Sequence, residues 1–108
     1  MFLKIDYVAE LKIELLKVQA EFADLSLKIE RLEQFLDGAK GTVSATGRDI
    51  KALLKDGWRF KGVTLTHIAM LQAQKEAMCV YRSILSDRMS YMRKTLRSQS
   101  KKQSKKAQ

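Results

Sequence analysis

The 108-residue chain contains no proline, and only five glycines interrupt it. Four of the glycines lie between Leu36 and Trp58, and the fifth, Gly62, follows closely. Because proline and glycine are the residues that most readily end helices, we predict long helices on both sides of this one connecting region. No apolar run approaches the roughly 18 residues that a membrane span requires, so no transmembrane helix is predicted.

Cysteine and histidine each occur once, as Cys79 and His67. A lone cysteine cannot form an internal disulfide, and a lone histidine without ligands at metal-binding spacing does not make a metal site. No two carboxylates are spaced for general acid and base catalysis, so we predict no enzyme activity and no cofactor. Lys4 and Asp6 interrupt the apolar start of the chain, which disfavours a signal peptide and predicts a soluble, cytoplasmic protein.

An apolar heptad pattern runs along the first third of the chain. Its members are Val8, Leu11, Leu15, Val18, Phe22, Leu25, Ile29, Leu32 and Leu36. Alternating spacings of three and four residues place all of them on one face of a helix. We therefore predict a helix over about residues 3–36, which ends at Asp37 with Gly38 as its left-handed cap. Such a seam needs another helix to pack against it.

A second long helix is predicted over about residues 65–97, with Thr64 or Thr66 as its N-cap. Its first apolar stripe consists of Ile68, Leu71, Met78, Leu85, Met89, Met92 and Leu96. Lys75 and Arg82 occupy seam positions within this stripe, where they can either pair with acidic residues of the first helix or extend past the seam edge. A second stripe, about 100° around the helix, consists of Met70, Ala73, Ala77, Tyr81, Ile84 and Tyr91.

The connection, residues 37–63, has the small and polar composition of a loop, with a short helix predicted over about residues 48–56. Trp58, Arg59, Phe60 and Lys61 alternate aromatic and basic side chains. The aromatic rings can either close the end of the helix pair or lie exposed and stack on nucleic-acid bases. The glycine spacing matches neither the Walker motif nor the dinucleotide fingerprint, so nucleotide binding is not predicted.

These segments predict an all-α fold, a long antiparallel helical hairpin of coiled-coil type in residues 1–97. A basic, flexible tail is predicted at residues 98–108 because serine, glutamine and lysine dominate it. The apolar face of the second long helix is wider than one partner helix can cover. We therefore predict self-association into a homodimer or higher oligomer, with two hairpins pairing as a four-helix bundle.

Charge is divided unevenly along the chain, which carries +9 overall. Residues 1–38 contain five basic and eight acidic side chains, whereas the remainder contains 16 basic and four acidic ones. No acidic residue follows Asp87, so the C-terminal end predicts phosphate contacts with DNA or RNA that are independent of base sequence. The residues predicted to make these contacts are Arg93, Lys94, Arg97, Lys101, Lys102, Lys105 and Lys106, with Arg59 and Lys61 as secondary candidates.

The predicted function is that of a small, non-enzymatic accessory protein that self-associates and binds nucleic acid through its basic end. Self-association would place two basic segments on one ligand and so add avidity. The simpler alternative is a tail that only solubilises the protein or is attracted to any polyanion. A different function, docking of another protein on an exposed apolar face, is predicted by the wide, methionine-rich apolar face of the second long helix, because methionine adapts to varied partners. That interface would consist of Met70, Ala77, Tyr81, Ile84 and Tyr91.

Overall fold

The structure, a computed structural model, describes the backbone of residues 2–107 and the side chains of residues 7–99. Helix α1 covers Phe2–Thr46, α2 covers Ile50–Lys55 and α3 covers Leu65–Ala107. Two short antiparallel strands, β1 (Arg59–Phe60) and β2 (Val63–Thr64), lie between α2 and α3. The prediction of a predominantly helical chain is confirmed. Within the described residues, no helix has an apolar stretch long enough to cross a membrane.

The apolar seams predicted for the two long helices face inward. All nine seam residues between Val8 and Leu36 are buried or half-buried, and so is every member of the first stripe of α3. The second stripe of α3 is exposed along its whole length. Each long helix therefore uses its heptad face for burial, as the spacing predicts.

Helix α1 continues well beyond the end predicted at Leu36. The heptad spacing extends through Ala39, which is buried, and Val43, which is half-buried. Gly38 is consequently an interior helical residue, and the prediction that it caps the helix is wrong. The left-handed residue that follows the helix is Gly47, with a φ angle of 64°.

Gly38 gives the connection a place to pack against α1. A Cβ atom at this position would lie 3.3 Å from Cζ of Phe60. The Phe60 ring also contacts Phe35, with ring centroids 5.3 Å apart and planes tilted by 57°. Phe60 therefore takes the packing role, one of the two that its sequence context allowed, whereas Arg59 and Lys61 on either side of it are exposed.

The two strands are joined by Lys61 and Gly62, whose φ angles are 50° and 81°. Positive φ at both central positions is characteristic of a type I′ turn, whose twist matches that of an antiparallel strand pair. The second strand leads directly into α3, where the Thr64 hydroxyl accepts a hydrogen bond of 3.2 Å from the backbone N–H of His67. Thr64 is therefore the N-cap, one of the two candidates that the sequence predicted.

Helix α3 continues to Ala107 instead of ending near Arg97. The backbone of residues 98–107 thus differs from the flexible tail that their composition predicts. Serine, glutamine and lysine extend a helix at only modest cost, and the segment contains no proline to end it. The side chains of residues 100–108 lie outside the described part of the chain.

The chain divides into two units, each containing part of α1 and part of α3. Unit 1 comprises residues 1–25 and 81–108, and its buried cluster consists of Val18, Leu85, Met89 and Met92. Glu14 contacts Arg88 and Glu21 contacts Tyr81, so the two helical segments of unit 1 run antiparallel.

Unit 2, residues 26–80, contains the connection and the helical segments on either side of it. Its buried apolar residues include Ile29, Leu36, Ala39 and Leu53. Nζ of Lys75, at a seam position of α3, lies 3.9 Å from Oε1 of Glu33. Of the two arrangements that its position allowed, Lys75 therefore adopts the one with an acidic partner on α1.

We expect Gly41→Ala to stabilise the protein by about 0.5–1 kcal/mol, because glycine within a helix loses more backbone entropy on folding than alanine does. A Cβ atom at this position would meet nothing within 4 Å. Gly38→Ala is the matched control, since it makes the same gain in helix propensity but requires the Phe60 ring to shift. Thermal unfolding followed by circular dichroism should show a higher midpoint for Gly41→Ala than for Gly38→Ala, and the reverse order would contradict the packing at Gly38.

Candidate nucleic-acid interface

Three of the predicted phosphate-binding side chains that the structure describes project from α3 in unit 1. Arg93, Lys94 and Arg97 are all exposed, and none forms an ion pair with a described side chain. The other predicted residues of this segment, whose side chains are not described, are Lys101, Lys102, Lys105 and Lys106. The helical backbone from residue 93 to residue 106 is about 20 Å long, at a rise of 1.5 Å per residue.

Helical geometry distributes the three described cations around α3. Arg93 and Arg97 are four residues apart and share one face, whereas Lys94 lies about 100° away from Arg93. The three described cations therefore lie within an arc of roughly 100° around the helix, on one side of α3. Such an arrangement can contact successive phosphates of a polyanion that lies along this side of the helix.

A hollow of about 420 Å³ lies on the surface of α3 in unit 1, a few residues before these cations. Its lining consists of Ile84, Asp87, Arg88, Tyr91 and Met92. Met92 is buried, whereas Tyr91 is 70% exposed, the highest value among the large apolar and aromatic side chains that the structure describes. The hollow thus combines an apolar interior with an aromatic ring that is open to solvent.

Two charged residues, Arg88 and Asp87, line the hollow together with Tyr91. A guanidinium nitrogen of Arg88 lies 3.4 Å from the carboxylate of Glu14, and both side chains are about half exposed. An arginine has five N–H donors, so this single contact leaves most of them available. Asp87 forms no ion pair with a described side chain. Both a hydrogen-bond acceptor and a set of donors therefore line the hollow.

The hydroxyl of Tyr81 donates a hydrogen bond to Glu21 across the two helical segments of unit 1. This hydrogen bond is the largest of the effects that raise the pKa of Tyr81 above its ordinary value. Desolvation and the negative charge of Glu21 raise the pKa of Tyr81 further, and Arg88 opposes them.

Replacing Glu21 with glutamine should lower the pKa of Tyr81. Because the folded-state pKa is raised, neutral Tyr81 stabilises the fold below the unfolded-state pKa of about 10, and that contribution is lost as the pH rises through the folded-state value. Absorbance at 295 nm follows the ionisation of the three tyrosines. One tyrosine should ionise at a higher pH in the wild-type protein than in Glu21→Gln. Superimposable titration curves would contradict the hydrogen bond between Tyr81 and Glu21.

The secondary candidates, Arg59 and Lys61, lie in unit 2 beside the type I′ turn and are both exposed. Nζ of Lys61 is 5.3 Å from the centroid of the Phe60 ring, within the range of a cation–π contact. Phe60 and Trp58 are both half-buried. The turn therefore offers two accessible cations, but the aromatic exposure that base stacking requires is greater at Tyr91.

The predicted protein-interface residues are exposed in both units. Unit 2 contributes Met70 and Ala77, and unit 1 contributes Tyr81, Ile84 and Tyr91. Helix α1 also exposes Ile13 and Leu16, by 54% and 65% respectively, outside its heptad seam. Exposed apolar side chains of this size are therefore present on both long helices.

A larger groove, of about 790 Å³, lies within unit 2. Val43 of α1, Ile50 and Leu54 of α2, and Ile68 of α3 contribute to its apolar lining. Side chains of both charges, including Asp37 and Lys40, also line it. Sequence reasoning missed this groove because it ended α1 at Leu36, before the residues that form one wall of the groove.

Residues with metal-binding chemistry are scattered over the part of the chain that the structure describes, and no three of them are grouped to hold an ion. His67 is exposed and Cys79 is half-buried. The candidate interface consists of exposed cations, an exposed aromatic ring and the adjoining hollow. Comparison with known proteins adds no assignment, because no protein-family model, no curated protein and no solved structure matches the chain.

Proposed function

We propose that the protein is a non-enzymatic accessory protein that self-associates and binds nucleic acid through the basic C-terminal segment of α3. The observation that carries this proposal is the exposure of Arg93, Lys94 and Arg97 without acidic partners among the described side chains. Each cation that neutralises a phosphate releases condensed counterions, and this release favours binding. Contacts of this kind position the ligand without reading its sequence.

A titration of labelled DNA and RNA oligonucleotides, followed by fluorescence anisotropy at several salt concentrations, tests the proposal. The logarithm of the association constant should fall linearly with the logarithm of the salt concentration, by about 0.9 per phosphate contact on duplex DNA and about 0.7 on single strands. The absence of binding at low salt would contradict the proposal and would leave the basic segment a solubilising role. Equal binding to anionic lipid vesicles would show attraction to polyanions in general.

Self-association is the second part of the proposal. Ile13 and Leu16 are three residues apart on α1, so they lie on the same side of the helix, away from the seam that packs inside unit 1. Adjacent exposed apolar side chains of this size are typical of interaction surfaces. A second hairpin packed on this face would complete the four-helix bundle.

Docking of another protein is the second candidate function, and the exposed stripe of α3 favours it. The stripe includes Met70, which is 65% exposed and whose flexible thioether side chain adapts to varied partners. The mass in solution distinguishes the two candidates, since sedimentation as a 12.4 kDa monomer would favour docking of a different protein. An oligomer that Ile13→Glu and Leu16→Glu together convert to a monomer would favour self-association through α1.

A further inference from the structure

We propose that the hollow beside Tyr91 receives an unstacked nucleobase, which makes single-stranded nucleic acid the preferred ligand of the basic segment. This inference rests on the proposed function, because the cations of α3 must first bring the polyanion to the helix. It goes further by assigning a base-binding role to residues that do not contact phosphate.

The exposure of Tyr91 is the first observation. Its ring is 70% exposed on a helix whose other aromatic residue, Tyr81, is held by a hydrogen bond to Glu21. Lys94 follows Tyr91 by three residues and Arg88 precedes it by three, so both cations lie on the same side of the helix as the ring. An aromatic ring between cations is the arrangement with which proteins stack bases while they neutralise the adjoining phosphates.

The lining of the hollow is the second observation. Ile84 and the buried Met92 offer apolar contact, and the carboxylate of Asp87 and the guanidinium of Arg88 offer an acceptor and donors. A base needs both kinds of contact, apolar ones for its face and polar ones for its edge. In a duplex the faces are stacked and the Watson–Crick edges are paired. Only an unpaired base can therefore use the ring and the polar groups together.

Asp87 indicates which bases the hollow should bind most tightly. It is the last acidic residue of the chain, and eight basic residues follow it. A carboxylate repels phosphate, so phosphate binding does not explain its position in the hollow. It does accept hydrogen bonds from exocyclic amino groups, which cytosine, adenine and guanine carry and thymine and uracil lack. We therefore expect an oligocytidine strand to bind more tightly than an oligothymidine strand.

The experiment compares anisotropy titrations of oligo-dC, oligo-dT and a mixed-sequence duplex against the full chain. Tyr91→Ala should weaken binding of oligo-dC by roughly 5- to 150-fold, the equivalent of the 1–3 kcal/mol typical of base stacking on an aromatic side chain. Binding of the duplex and the salt dependence should stay unchanged. Tyr91→Phe keeps the ring and should keep the wild-type affinity. Asp87→Asn should reduce the ratio of oligo-dC to oligo-dT affinity.

The outcomes separate failure of this inference from failure of the proposed function. If the wild-type protein binds none of the three ligands, the proposed function fails, and the inference with it. If all three bind and Tyr91→Ala binds oligo-dC as Tyr91→Phe does, the inference fails while the proposed function stands. If Tyr91→Ala instead dissociates an oligomer and lowers the affinity for all three ligands equally, Tyr91 belongs to a protein interface and the inference is overturned. Far-UV circular dichroism verifies that each variant is folded.

Discussion

Neutralising Arg93, Lys94 and Arg97 together, each by glutamine, is expected to weaken duplex DNA binding by roughly two to three orders of magnitude at 0.1 M salt. The expected magnitude follows from counterion release, since each lost phosphate contact removes about 0.9 from the slope of log affinity against log salt. Glutamine preserves helix propensity, so α3 should remain intact. The change therefore removes charge with little effect on the backbone that carries it.

Anisotropy titrations between about 0.05 and 0.2 M salt measure both the affinity and the slope. Lys12→Gln, Lys17→Gln and Arg31→Gln together form the matched control, because all three side chains are exposed on α1 and the same charge is removed. The control should lose much less affinity and keep its slope. Equal losses in the two triple variants would mean that net charge alone, and not the segment on α3, attracts the ligand.

Truncating Leu85 to alanine should lower the free energy of unfolding by about 2–5 kcal/mol, the range observed for large-to-small changes in protein cores. Leu85 is fully buried and belongs to the cluster of Val18, Met89 and Met92 in unit 1. The missing atoms leave a cavity that the two helical segments can close only in part. For a protein of this size, such a loss is a large part of a total stability of about 5–15 kcal/mol.

Leu27→Ala provides the control for this experiment, since it removes the same atoms from a side chain that is 45% exposed. Surface changes of this kind usually alter the stability by about 0.5 kcal/mol or less. Urea unfolding followed by circular dichroism gives both values at one protein concentration. A similar loss in the two variants would contradict the inward orientation of the α3 seam.

The buried faces of both long helices could be predicted because heptad spacing is a local property of the sequence. The end of α1 could not, because Asp37 and Gly38 form a local stop signal that tertiary packing overrides. The ring that fills the space at Gly38 belongs to Phe60, which lies outside α1 and beyond the window of a helix-end signal. The continued heptad positions, Ala39 and Val43, were the available sign that the helix extends.

The helical backbone of residues 98–107 escaped prediction for a different reason. Composition describes a segment in isolation, where a new helix must overcome the cost of nucleation. Here the segment extends a helix that already exists, so each further residue costs much less to add. The polar sequence therefore continues α3 although it would form no stable helix alone.

The cations of the candidate interface could be predicted from charge alone, but the hollow beside Tyr91 could not. Its volume depends on how Ile84, Arg88 and Tyr91 orient around the buried Met92, which no spacing rule supplies. Asp87 was a usable signal, because it is the last acidic residue before a wholly basic segment. Asp87 lies between Ile84 and Tyr91 of the exposed stripe, on the same side of α3, so its carboxylate lies beside their side chains.

The antiparallel course of the helical segments has a consequence for the order in which contacts form during folding. Phe35 and Phe60 meet by closing a short stretch of chain around the connection, whereas Glu14 and Arg88 are 74 residues apart. Because the entropy lost on closing a loop grows with its length, contacts in unit 2 should form early and those in unit 1 late. The contacts that form last on folding should be the first to break when the native protein opens locally. Unit 1, which carries the exposed cations, is therefore expected to open first and to exchange its amide hydrogens fastest.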